Sequence, residues 1–327
     1  HQYFDARFTL DSESEGRFWL QSCGALLEAE PRGEDAVRVM CHDIEDPTFD
    51  ATASATNPRA RMRPIHRPPR LPADRQPHCE WRVFIDEAAD PLSEPEVTRP
   101  MAESRLAQLR LPDSKASTGG GLPDYRGPLF EQLFLESFSE SVLETLCDEL
   151  SIQYHLLINA LHYVMAERFG EEAAVAVAEF QMVGSAWVVS ERLKNILPGD
   201  PEGIDAIVQV LEVHPALNPA AYFNAQVVRL DETRASLKFG KSEAQAEARP
   251  LGWYPLLAAG AIEGLESLVH GVDNRARVLP VEGDDLAWEI VLEEDAPEAQ
   301  EPPAVQIAKG AVLYQAKLTD NIPALQL

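Results

Sequence analysis

The chain repeats itself. Tyr3-Phe4-Asp5-Ala6 returns as Tyr222-Phe223-Asn224-Ala225, and at the same offset of 219 residues Glu28-Ala29-Glu30-Pro31 meets Glu247-Ala248-Arg249-Pro250. Further on the offset shrinks: Ile44-Glu45 aligns with Ile262-Glu263, Arg59-Ala60-Arg61 with Arg275-Ala276-Arg277, and Glu80-Trp81-Arg82-Val83 with Ala287-Trp288-Glu289-Ile290. Landmarks kept in one order constrain the fold more than any composition does, because both stretches must then suit one small module.

Each copy reads as a β-hairpin, a helix, a loop and a closing strand. In the first, Tyr3 to Leu10 and Gly16 to Leu27 flank the turn-favouring run Asp11-Ser12-Glu13-Ser14-Glu15. Ala36, Val39, Met40 and Ile44 recur at helical spacing and predict one buried stripe. In the closing strand Cys79, Trp81, Val83 and Ile85 share a face, as do Leu286, Trp288, Ile290 and Leu292. Between the copies, prolines and Gly119-Gly120-Gly121 punctuate a polar stretch, after which the pattern turns helical near 130 to 149, 152 to 169, 171 to 197 and 202 to 213. The expected fold class is α+β, with two diverged hairpin-helix-strand modules flanking a helical bundle. Its parts are a cysteine-containing module at 1–86, a linker at 87–128, the bundle at 129–220, a cysteine-free module at 221–295 and a tail at 296–327 expected to dock on the body.

Charge narrows the partners. The 28 Lys and Arg stand against 54 Asp and Glu, a formal charge of −26 over 327 residues, which repels nucleic-acid phosphates and anionic membrane surfaces. Neither is expected as a partner. Tyr3 to Leu10 alternates like a strand, so no signal peptide is expected, and the clear apolar runs, such as Leu256 to Ile262, are too short to span a bilayer. Four scattered cysteines, at 23, 41, 79 and 147, form no disulfide framework and predict a reducing cytoplasm. Association into a homo-oligomer is left open.

The stretch from about Leu146 to Glu293 resembles the L-2-amino-thiazoline-4-carboxylic acid hydrolase-like family. The likeness lies in the helix carrying Ala166-Glu167-Arg168-Phe169-Gly170 before a second alanine-rich helix, the Tyr222-Phe223 hairpin and the Ala287-Trp288-Glu289-Ile290 strand. It covers a little under half of the chain and is one of order and texture. The resemblance implies hydrolytic opening of a small sulfur heterocycle, with cysteines in the hairpin and before the Trp-Glu strand. In the second copy those positions hold Ser242, Ala259 and Leu286, whereas the first keeps Cys23, Cys41 and Cys79. Chemistry in copy one and a structural copy two is the division of labour this suggests.

Three constellations are candidates. Cys23, Cys41, His42 and Cys79 are the ligand types for zinc or iron, although their spacing fits no compact motif and three core residues are the alternative. Cys41, His42 and Glu45, if helical, lie within one turn of each other and offer a thiol, an imidazole and a carboxylate for catalysis; an ordinary amphipathic helix end is the alternative. The loop from Asn57 to Arg75 gathers six arginines, of which Arg61, Arg63 and Arg67, with His66, are the expected substrate-binding residues for a carboxylate or phosphate, including that of a coenzyme A ester. That loop could equally neutralise the chain's own acids.

His155 and His162 are seven residues apart, roughly 10 Å along a helix, and read as core or pocket lining. Tyr154, Tyr163, Phe180, Met182 and Trp187 would line an apolar pocket in the bundle or simply fill its core. No nucleotide-binding glycine loop, zinc-protease motif or nucleophile elbow occurs. Two functions follow: a hydrolase-like enzyme acting by ring opening or C–N/C–S hydrolysis on a small anionic molecule at copy one, or a non-catalytic binding or scaffold protein holding a lipophilic ligand in the bundle.

Overall fold

The computed structural model describes residues 4–111, 120–123, 135–283, 286–293 and 295–308. They divide into two compact units. Of the described residues, the first takes in those up to Pro95 and Leu135; the second takes in those from Glu96 to Pro123 and from Glu136 onward.

Unit one is a four-stranded antiparallel sheet of β1 (Phe4–Ser12), β2 (Glu15–Cys23), β3 (Ala60–His66) and β4 (Cys79–Ile85), in the order β1-β2-β4-β3. Helices α1 (Gly24–Ala29), α2 (Glu34–Arg38) and α3 (Glu45–Thr56) join β2 to β3. The alternation expected along β4 is present: Cys79 and Trp81 are buried, and Trp81 is fully enclosed against Phe49 with ring centroids 4.6 Å apart.

Unit two opens with α4 (Thr98–Ala102), followed by α5 (Glu140–Phe169), α6 (Glu171–Ile196), α7 (Gly203–Val213) and α8 (Ala220–Phe223). Strands β5 (Ala225–Arg229) and β6 (Arg234–Phe239), helices α9 (Tyr254–Ala258) and α10 (Glu263–His270), strands β7 (Ala276–Pro280) and β8 (Ala287–Leu292), and α11 (Pro303–Ala308) complete it. Its sheet order, β5-β6-β8-β7, is that of unit one. The registers match as well. Trp81 lies opposite Phe18 and Pro64, and Trp288 opposite Leu237 and Pro280. Both prolines sit on edge strands, where a missing N–H breaks no ladder bond. The amphipathic α7 packs on β5, β6, β8 and α6, with Ile207, Val210 and Leu211 fully buried.

The fold class is as expected, but several elements differ from the sequence reading. The helical stripe in unit one is Ala36, Val37, Met40 and Cys41, whereas Val39 and Ile44 are exposed. A π-helical turn spans Val39–Ile44 at the end of this stripe. Gly24 to Leu27 continues β2 as helix, with the Cys23 sulfur accepting the Leu26 N–H at its start. Tyr222-Phe223 is a helical turn before the hairpin, which begins only after Asn224 reverses the chain at φ 51°. The expected break near residue 151 does not occur: Ser151 bonds back to the Cys147 carbonyl, 2.9 Å away, and α5 runs unbroken for 30 residues. Residues 130–134 lie outside the described residues.

The linker expected at 87–128 is likewise divided. Residues 96 to 111 belong to unit two, where Leu106 is wholly buried in the core. The start of the tail docks there too, since Val305 packs on Trp187 and Val188; the rest, from 309, lies outside the described residues. By length and composition α6 passes the test for a membrane-crossing helix, which the short-run argument missed. Half of that stretch is buried, and α6 packs against α5, α10 and α11, the position of a core helix.

Candidate functional site

In unit one the three cysteines do converge. Cys23, Cys41 and Cys79 share one apolar cluster with Leu20, Leu26 and Trp81. Burial pushes all three thiols up, Cys79 to about 12, with the Glu45 carboxylate adding to the effect. Protonated thiols are weak nucleophiles. His42 stands apart from them, its Nε2 bonded to the Pro68 carbonyl at 2.7 Å. Among the described residues no group of three or more His, Cys, Asp or Glu is arranged to hold a metal, so Cys23, Cys41, His42 and Cys79 are not assembled as the expected zinc or iron ligand set. Thiol titration should register this burial: the exposed Cys147 reacts at once in the native protein, and the other three only on unfolding. More than one rapidly reacting thiol in the native state would contradict it.

Glu45, the third member of the expected catalytic group, begins α3 directly after the π-helical turn. Its Oε2 is buried and has no hydrogen-bond partner. Burial raises the carboxyl to about 7 against an opposing pull from Arg67.

Part of the expected arginine loop, Ala60–His66, is the strand β3, and Arg61, Arg63, Arg67 and Arg70 are engaged by the chain itself. Arg61, almost fully buried, donates to the carbonyls of Pro58, Ala60 and Asp90 at 3.0, 2.9 and 2.6 Å. Arg63 pairs with Asp50 at 2.8 Å, Arg67 with Asp46, and Arg70 grips both oxygens of Glu30. His66 lies 3.9 Å from Glu80, and burial holds its pKa below the ordinary value. These contacts match internal charge compensation, the other role the loop admitted, and leave Arg61, Arg63 and Arg67 already engaged where an anion was expected.

Unit two contains a cavity that the sequence reading did not single out. About 270 Å³ in volume, it is bounded by α4, α5, α8 and the segment from Ala244 to Pro255. At its wall the Tyr222 hydroxyl donates to Glu247 Oε1 at 2.8 Å, while the backbone N–H groups of Leu106 and Arg105 reach the same carboxylate at 3.0 and 3.1 Å. Burial first, and then this carboxylate, push the Tyr222 phenol well up. His155 shares its Nε2 between the carbonyls of Pro215 and Asn218, at 2.8 and 3.1 Å, so that nitrogen carries the proton. Burial lowers its pKa to about 4, and the ring is neutral.

His162 accepts the Gly252 N–H at 3.1 Å. Gly252 has φ +77°, and a Cβ there would strike the Asn159 side chain, so only glycine lets this backbone approach α5. Trp253 Nε1 and the Tyr254 hydroxyl, on two buried lining residues, have no hydrogen-bond partner. Of the residues expected to form a bundle pocket, none lines this cavity, but Phe180 and Met182 line another, of about 340 Å³, beside α6 and the start of α10; Trp187 is core and Tyr154 bonds Ser185 at 3.0 Å. The available signal was the repeat itself, since Tyr222 and the run Glu247 to Pro250 are among its landmarks.

No known protein-family model, curated protein or solved structure matches this chain.

Proposed function

We propose that this protein binds a small organic molecule in the unit-two cavity, in a ligand-binding role. The supporting observation is the Glu247 carboxylate, fixed by one phenol and two backbone donors at the wall of a cavity lined by Tyr222, Phe223, Trp253 and Tyr254. A concave, mainly apolar site with a few anchored polar groups is the usual form of a small-molecule site. Four free cysteines, three of them buried, suit a reducing compartment, and we place the protein in the cytoplasm.

Ala248, an exposed lining residue, offers a test. Fragments found by ligand-observed NMR should compete for one site and be lost from Ala248→Trp, whose indole occupies the cavity while the melting temperature stays put. Fragments that bind the variant unchanged, or a complete absence of binders, would sink the proposal.

Hydrolysis in unit one is a second reading, favoured by the family resemblance and by one observation: a carboxyl near 7 is suited to proton transfer at neutral pH. Its support stops there, because the neighbouring thiols are held protonated and supply no nucleophile.

A further inference from the structure

We infer that the unit-two cavity is built for an organic cation, a compact ammonium carried on an apolar or aromatic body. The inference rests on the ligand-binding reading above and reverses the ligand charge expected from the arginine segment.

Glu247 carries the argument. Its partners are a phenol and two peptide N–H groups, none of which brings a positive charge, so the carboxylate is held in place but not neutralised. A carboxylate offers about four acceptor positions, which leaves one of them open here. Among the described residues the cations nearby are otherwise engaged, and the Arg105 guanidinium pairs with Glu243 at 2.6 Å. Arg249 pairs with Glu167 at 3.2 Å and lies 4.3 Å from the centre of the Tyr163 ring, and His155 is neutral. An anionic ligand would meet an uncompensated negative charge with, among the described residues, no free cation to receive it.

The walls point the same way. Phe223 lies at the centre of an aromatic group, 4.8 Å from Tyr222, 5.6 Å from Tyr254 and 6.2 Å from Trp253. Tyr222 and Phe223 stand at 86°, and Trp253 and Tyr254 at 85°. Rings meeting at right angles wall a hollow from several sides, and each π face attracts a cation, tryptophan most strongly. A chain of charge −26 also concentrates cations around itself before any contact is made.

Three probes of similar shape and different charge separate the outcomes: phenyltrimethylammonium, its neutral isostere tert-butylbenzene, and benzoate, each titrated calorimetrically into the full chain. Phenyltrimethylammonium should bind at least about tenfold tighter than tert-butylbenzene, and benzoate weakest. Glu247→Gln should erase most of that preference. Tyr222→Phe, which keeps the ring and the charge, should retain it, so a folding defect in one variant does not decide the matter. If the neutral probe or benzoate binds as well as the cation, and Ala248→Trp blocks it, the cavity stands and the cation inference falls. If no probe binds, or binding persists in Ala248→Trp, the ligand-binding reading fails and takes the inference with it.

Discussion

Glu45→Gln is expected to stabilise unit one at about pH 8 and to leave it nearly unchanged at about pH 4. The carboxyl faces the Cys23, Cys41 and Cys79 thiols, with Arg67 and Asp46 as its charged neighbours, and burial lifts it from 4.5 to about 7. A carboxyl raised on folding binds its proton more tightly in the folded state. Its contribution is full below about 4.5 and is lost as the pH rises through about 7. The whole difference would amount to about 3 kcal/mol, and solvent screening of this half-buried side chain reduces the expected gain to about 1–2 kcal/mol. Glutamine has nearly the same shape and no charge to bury, so the variant should match the protonated native protein. Amide exchange of β2 and β4 at the two pH values would measure this. An equal difference between variant and native protein at both would show that Glu45 does not titrate in this range.

Larger losses are expected from the two equivalent tryptophans. Trp81→Ala should remove about 3–5 kcal/mol from unit one, and Trp288→Ala a similar amount from unit two. Trp81 is enclosed by Phe49 and the Arg67 guanidinium, and Trp288 stands edge-on to Phe239 at 6.1 Å. Domains of this size are stable by only about 5–15 kcal/mol, so either cavity removes a large share of the total. Because the units are separately compact, calorimetry should show two transitions, with each variant lowering its own. A single transition lowered alike by both would mean that the units unfold together.

Where the pattern of residues reflects burial on one face, the sequence was legible. The alternation through Cys79 and Trp81, repeated through Trp288 and Ile290, predicts β4 and β8, and the helical periodicity predicts α6 and α7. What stayed hidden depends on contacts distant in sequence. The stretch from Asn57 to Arg75 reads as one loop, yet Ala60–His66 is the strand β3, whose place at the sheet edge accommodates Pro64. Val37 and Cys41 suit the helical period with Ala36 and Met40 as well as Val39 and Ile44 do, and only packing against Leu20, Leu26 and Trp81 decides which face is buried. Three thiols read as chemistry by residue type alone, and only their burial separates a core from a reactive site. The cavity needed four separate segments to meet, and Glu247 carries no local mark of the two peptide groups that it holds, 141 and 142 residues earlier in the chain.

Those same peptide bonds decide how the protein can be divided. Judged by helices alone the bundle begins at α5, but Leu106 fills the core of unit two and Glu247 fastens the backbone beside it. A fragment starting at residue 136 would open a hole in that core, strip the carboxylate of two of its three donors and remove one wall of the cavity. The shortest piece that can carry the site intact starts ahead of α4, on the far side of a stretch that composition marks as mere connection.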